Sequence, residues 1–223
     1  ERTLRLFGIP YVSQAARSLF LEAPVNDIYQ VLQLVLYQRE AVGLLALLNV
    51  VSGWPATVVL LAASYPFSKR FHYMPQIHLG AAFGWAVPMA FAAETGSLPK
   101  MAWLLYVATI IWAVAYDTMY AMVDRDDDIV LGLKSTAILF GESDRQIIGL
   151  IQGMLLVCLL MIGHQAELGW IYYLGVCLAA ALAGYQQYLI RFREREACFR
   201  AFLNNNWFGA AVFAGLLLDY LLR

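Results

Sequence analysis

An all-α bundle of membrane-spanning helices is the fold class this sequence predicts, on three observations. Of 223 residues, 61% are hydrophobic and only 14% charged, where a soluble domain is about 25% charged. Apolar runs close to 20 residues recur along the chain, long enough to cross a hydrocarbon core. The loops between them alternate between basic and nearly uncharged, as the loops of a polytopic membrane protein do. Mean hydropathy is +0.63. A net charge of −1 gives no overall basic field for nucleic acid. Cys158, Cys177 and Cys198 are scattered, with neither zinc-ligand spacing nor a disulfide framework, and read as packing residues.

Two regions follow from the pattern. Residues 1–40 are atypical: Pro10, Pro24, Asn26 and Asp27 interrupt their apolar runs, and RSLFLE and DIYQVLQLVLY are too short to span. The chain opens on Glu1 without a signal-peptide pattern and is expected to be a fragment. Residues 41–223 hold six expected spans, at about 42–64, 76–94, 101–123, 146–164, 169–190 and 206–222. The first is the weakest, because Gly53, Trp54 and Pro55 break it. In the others, Gly80, Gly84, Pro88, Gly175, Gly184, Gly209 and Gly215 suit close helix packing within a bilayer. Basic loops follow the first span (Lys69, Arg70), the third (Arg125, Lys134, Arg145) and the fifth (Arg191, Arg193, Arg195, Arg200). The positive-inside rule puts all three on one face, expected to be cytoplasmic.

The segment YDTMYAMVDRDDD, at the end of the third span, carries five aspartates. Asp117, Asp124 and Asp128 are seven and four residues apart, within an arc of roughly 40° if the helix continues. A helix C-terminus already carries partial negative charge, and within the segment only Arg125 offsets the acids. A divalent cation with oxygen ligands would compensate, and Mg²⁺ commonly bridges carboxylates and substrate phosphates. The alternative is a solvated acidic loop, preferred for Asp126 and Asp127. It does not suit Asp117, which lies inside the span, where ionisable groups face a partner or a polar cavity.

Complementary charge comes from the other basic loops. In YPFSKR, Lys69 and Arg70 read either as headgroup anchors or as contacts for diphosphate and for a carboxylate or phosphate. Lys134, in GLKSTAILFG, precedes a segment that either starts a short helix facing an anion or is simply capped by Ser135. The arginines of RFREREACFR are expected to hold the surface. Asn204, Asn205 and Asn206 are expected to cap the last helix, with a polar pocket as the alternative.

In their order, YPFSKR, LGAAFGWAVPMAFAA, AYDTMYAMVDRDDD, GLKSTAILFG and REREACFRAFLNNN resemble the 4-hydroxybenzoate polyprenyltransferases of the UbiA superfamily, from about residue 60 to the C-terminus. The resemblance implies an intramembrane helical enzyme, normally of nine spans, in the bacterial inner membrane with its active-site loops cytoplasmic. It implies transfer of a polyprenyl group from polyprenyl diphosphate to the ring of 4-hydroxybenzoate, in ubiquinone synthesis, with Mg²⁺ gripping the diphosphate. It places Asp117, Asp124, Asp128 and Arg70 in catalysis, with the three aspartates as metal candidates. Lys69, Arg70, Lys134, Tyr65 and Tyr120 become substrate-binding candidates, Arg70 for the benzoate carboxylate.

The family's first aspartate motif, N-D-x-x-D-x-x-x-D, departs from the pattern. Its nearest counterpart is VNDIYQVLQL, where Asn26 and Asp27 match and Gln30 and Leu34 do not. The six spans correspond to the family's last six, and the N-terminal part is expected to be missing or replaced. The chain alone is therefore expected to be weak or inactive. The rival readings are a related enzyme with another acceptor (a haem, naphthoate or chlorophyll precursor) and a non-catalytic, truncated membrane protein.

Overall fold

The computed structural model describes residues 68–222. The expected first span, the atypical segment 1–40 with VNDIYQVLQL, and Tyr65 lie outside the described residues. Within them the chain is helical, with no strand. Helix α1 (Ser68–Phe71) leads through a short turn into α2 (Pro75–Gly84) and α3 (Ala86–Thr95). Next come α4 (Lys100–Val123), α5 (Arg125–Val130) and α6 (Thr136–Phe140). The long helices α7 (Asp144–Gln165), α8 (Trp170–Leu189) and α9 (Arg195–Leu221) complete the bundle.

Three expected spans match helices closely: α4, α7 and α8 begin and end within two residues of positions 101–123, 146–164 and 169–190. The expected span 76–94 is divided at Trp85 into two ten-residue helices. Pro88 explains the break, because it has no N–H for the carbonyl of Gly84. The Trp85 ring fills the bend, edge-on to Trp103 at 6.4 Å and Tyr106 at 5.5 Å. Placed end to end, the two ten-residue halves reach about 30 Å.

The last helix corrects the expectation. It starts at Arg195, not near residue 206, so Asn204, Asn205 and Asn206 are interior to α9 and cap nothing. Hydropathy detects only the apolar stretch, while REACFRAFL before it is helical on ordinary propensity. The amides find interhelical partners instead: Trp112 Nε1 donates to Asn205 Oδ1 at 2.9 Å, and Gln186 Nε2 donates to Asn204 Oδ1 at 3.3 Å.

Packing is inverted relative to a water-soluble protein. Ala102, Ala108, Ala113, Ala115, Ala121, Ala179, Ala183, Ala201 and Ala211 are buried, while Leu150, Met154, Val157, Leu174, Leu178 and Phe213 are exposed. In water such a surface would drive aggregation; in lipid it is the solvent-facing side, and small residues let the backbones approach. Four stretches are long and apolar enough to cross a membrane among the described residues: Lys100–Val123, Thr136–Gln165, Trp170–Phe192 and Arg195–Leu221. This is an integral membrane protein.

Glycines mark the tightest crossings. A Cβ on Gly175 would lie 2.9 Å from Gly215 Cα, so α8 and α9 meet backbone to backbone. A Cβ on Gly80 would lie 2.9 Å from both Ile110 Cα and Ala113 Cβ, which sets the separation of α2 from α4. Polar pairs add direction: Gln152 Nε2 donates to Gln186 Oε1 at 2.7 Å between α7 and α8, and the Thr118 and Thr136 hydroxyls pair at 2.8 Å between α4 and α6. Gly80→Val should therefore lower the thermal unfolding midpoint in detergent, by a destabilisation of about 1–3 kcal/mol. Gly184→Ala, at an exposed site with no atom within 4 Å of the new Cβ, should leave the midpoint unchanged or raise it. Equal effects of the two variants would show that α2 does not depend on this crossing.

Candidate functional site

The candidate site residues among the described ones gather at the end of the bundle that bears the basic loops. Helix α4 ends at Val123, and Asp124 forms the junction with α5, at φ −92° and ψ −1°. The helical ladder nevertheless passes through it: Asp124 N–H donates to Tyr120 O at 3.3 Å and Asp128 N–H to Asp124 O at 2.8 Å. Asp124 and Asp128 consequently keep one face, one turn apart, with Asp117 two turns deeper in α4. Tyr120 lies between them on the same side, with its ring 5.1 Å from that of Phe202.

Lys69, rather than Arg125, offsets these acids. Its Nζ donates to Asp128 at 3.2 Å to Oδ2 and 3.4 Å to Oδ1, where Asp128 is almost fully buried. The same ammonium acts electrostatically on Asp124 and Asp117. Burial pushes the Asp124 carboxyl above its ordinary value; Lys69 and Arg195 draw it down, while Asp128 and Asp127 add to the rise. Arg125 faces the other way, 3.7 Å from Asp144.

The two basic loops are joined directly. Lys134 N–H donates to Lys69 O at 2.9 Å, and Lys134 Nζ donates to Phe71 O at 3.2 Å while lying over the Tyr73 ring. Arg70 is exposed at the end of α1, and among the described residues no ion pair holds it. Ser135 occupies the N-cap position of α6 without a side-chain capping bond, and its Oγ is buried without a partner among the described residues.

A second ion cluster anchors the aspartate segment. Asp144, fully buried at the start of α7, accepts from Arg193 Nε at 3.0 Å and Nη2 at 2.9 Å. Arg193 adopts a left-handed φ of +57° and also donates to Glu142 O at 2.6 Å. The hydrogen bond to Asp144 raises the pKa of Arg193 above the ordinary guanidinium value. Asp127 pairs with Arg195 at 2.9 Å, both well exposed, while Asp126 is simply exposed. Arg195 thus remains at the surface, whereas Arg193 carries a structural pair that the surface reading of RFREREACFR did not include.

Among the described residues, no three His, Cys, Asp or Glu side chains are placed to hold a metal ion together. Asp124 and Asp128 still fit Mg²⁺ by their chemistry. It prefers hard oxygen donors and usually takes one or two carboxylates, completing its shell with water and substrate phosphate.

The UbiA prenyltransferase family model matches residues 40–213. The chain belongs to the UbiA prenyltransferase family. It is 59% identical over 182 residues to the 4-hydroxybenzoate octaprenyltransferase of Nitrosococcus oceani, covering 81% of this chain and 64% of that protein. It is 58% identical over 185 residues to the protein of the same name from Alkalilimnicola ehrlichii, covering 80% of this chain and 61% of the relative. The chain thus spans rather less than two thirds of the curated relatives it matches. In fold it is similar to the apo structure of a UbiA homolog from Aeropyrum pernix K1, with TM-score 0.59, 24% identity, and coverage of 72% of this chain and 62% of that one.

Two features of this UbiA family member escaped the sequence reading. Asp144 and Arg193 are 49 residues apart, and nothing in GESDR marks its aspartate as buried. Gln76 is fully buried beside Asp117, and its amide is unpartnered among the described residues. A polar side chain inside the expected span 76–94 was the available signal for it.

Asp144→Asn should destabilise the protein by about 1–3 kcal/mol, since Arg193 keeps some access to water. It should also speed tryptic cleavage after Arg125. An unchanged digestion pattern would show that the aspartate segment is held without Asp144.

Proposed function

We propose that the chain carries the diphosphate- and acceptor-binding portion of a 4-hydroxybenzoate polyprenyltransferase. The observation that carries this reading is the pair Asp124 and Asp128, one turn apart at the end of a membrane helix, facing Lys69 from a separate basic loop. The names of the curated relatives support the acceptor and a polyprenyl donor, octaprenyl in their case. The alternation of basic loops supports an inner-membrane location with this face in the cytoplasm.

In the reaction, the allylic C–O bond to diphosphate breaks and a C–C bond forms to the ring carbon beside the hydroxyl of 4-hydroxybenzoate. That carbon then loses its proton. Asp124 and Asp128 would hold Mg²⁺, which when bound neutralises charge developing on the departing diphosphate. Lys69 would exchange its bond to Asp128 for a diphosphate oxygen, and Lys134 lies close enough in the chain's own hydrogen bonding to support it. Arg70 presents a planar fork suited to the acceptor's carboxylate. Tyr120 and Phe202 supply aromatic faces that stabilise an allylic cation and exclude water.

In residues 25–34 only Asn26 and Asp27 match the family's first aspartate motif. Prenyl transfer by the purified chain with Mg²⁺ should accordingly be weak or absent, and turnover near that of a full-length relative would refute this. Binding separates the enzyme reading from a non-catalytic one. The chain should bind geranyl thiolodiphosphate in a Mg²⁺-dependent way, and Asp124→Ala should weaken that binding about tenfold or more. Binding that ignores both Mg²⁺ and Asp124 would favour a non-catalytic membrane protein. Comparing 4-hydroxybenzoate with a naphthoate acceptor tests acceptor identity.

A further inference from the structure

Gln76 is the second residue of α2, and its side chain is fully buried. Neither Nε2 nor Oε1 has a hydrogen-bond partner among the described residues. The amide lies beside the Asp117 carboxylate, near enough to interact with it but without the geometry of a hydrogen bond. Asp117 itself is partly exposed, so the pair opens on the aspartate's side. A buried amide that leaves both donor and acceptor unmade is costly, and native proteins seldom carry one without a water or ligand to complete it.

The chemistry of the pair restricts the ligand. A carboxylate or diphosphate oxygen could accept from Nε2 but would be repelled by Asp117. A hydroxyl fits the pair, since its oxygen accepts from Nε2 while its proton goes to the Asp117 carboxylate. A neutral hydroxyl also brings no charge to a site that already holds one.

We infer that Gln76, with Asp117, receives the hydroxyl group of the aromatic acceptor, and that Gln76 determines the preference for a hydroxylated ring. This rests on the function proposed above and adds to it a recognition role for the ring hydroxyl. It turns Asp117 from a third metal candidate into a substrate contact. The acceptor then lies with its hydroxyl end towards α2 and α4, leaving its carboxylate for a cation such as Arg70. Anchoring the hydroxyl fixes which ring carbon meets the prenyl group, because the reacting carbon is the hydroxyl's neighbour.

The test compares binding of 4-hydroxybenzoate and benzoate to the detergent-solubilised chain, by titration calorimetry, in the presence of Mg²⁺ and geranyl thiolodiphosphate. The unaltered chain should prefer 4-hydroxybenzoate. Gln76→Leu should reduce that preference about tenfold while leaving benzoate affinity unchanged. Its melting temperature should be equal or higher, since the substitution removes a buried unpaired amide. Gln76→Glu, which keeps the shape but loses the donor, should also lose the preference. Retention of the full preference in both variants would overturn the inference and mark Gln76 as an amide completed by a structural water. If the chain binds the thiolodiphosphate but shows no dependence on Gln76, only this inference falls. If it binds neither the thiolodiphosphate nor the aromatic acid, the functional reading falls as well.

Discussion

Three carboxylates lie on one stripe of a membrane helix, at the end where the helix dipole is negative, and a lysine 59 residues away bonds the last of them and acts electrostatically on the other two. Much of the basic face is arranged around that requirement. Helix α1 brings Lys69 in, the Lys134 amide binds the carbonyl of Lys69, and α2 is pressed against α4 at Gly80. Asp144, itself held by Arg193, pairs with Arg125 on the far side, so the aspartate segment is gripped from both flanks. A cluster so dominated by anions has room for a further cation.

Below the charged layer, the constraint changes from charge to backbone satisfaction. Lipid offers no hydrogen bonds, so each polar group in the bundle must find an internal partner. Gln152, Gln186 and Asn204 do so across three helices, and Tyr172 donates its hydroxyl to Leu159 O at 2.9 Å. Alanine and glycine at the contacts make these reaches possible, because a larger core would hold the helices too far apart. Among the described residues the Ser135 hydroxyl and the Gln76 amide are left unmet, and Gln76, with both donor and acceptor unmade, draws attention to the space beside Asp117.

The helical membrane class and the positions of α4, α7 and α8 were legible in the sequence because hydropathy and length are local properties. The break at Trp85 was half-legible: Pro88 was visible, but an apolar window averages over it. The start of α9 was not, because RFREREACFR reads as a charged loop and the asparagines after it as a cap until Asn204 and Asn205 are given partners on other helices. The aspartate stripe followed from periodicity alone, and the ladder through Asp124 preserves it. Within the segment only Arg125 offers counter-charge, and the other basic loops, Lys69 among them, read as the complementary source. The fold chooses among these cations, seating Lys69 on Asp128 and turning Arg125 to Asp144. For the same reason the burial of Asp144 and Gln76 had no signature beyond their being polar.

The hydrogen bond from Lys134 N–H to Lys69 O makes the two basic loops a single mechanical unit. Their backbones therefore move together, while each side chain keeps its own partner, Lys69 on Asp128 and Lys134 on Phe71 O. On the proposed function, a diphosphate would meet two cationic side chains mounted on one backbone frame, so a displacement of either loop would carry both lysines towards or away from it.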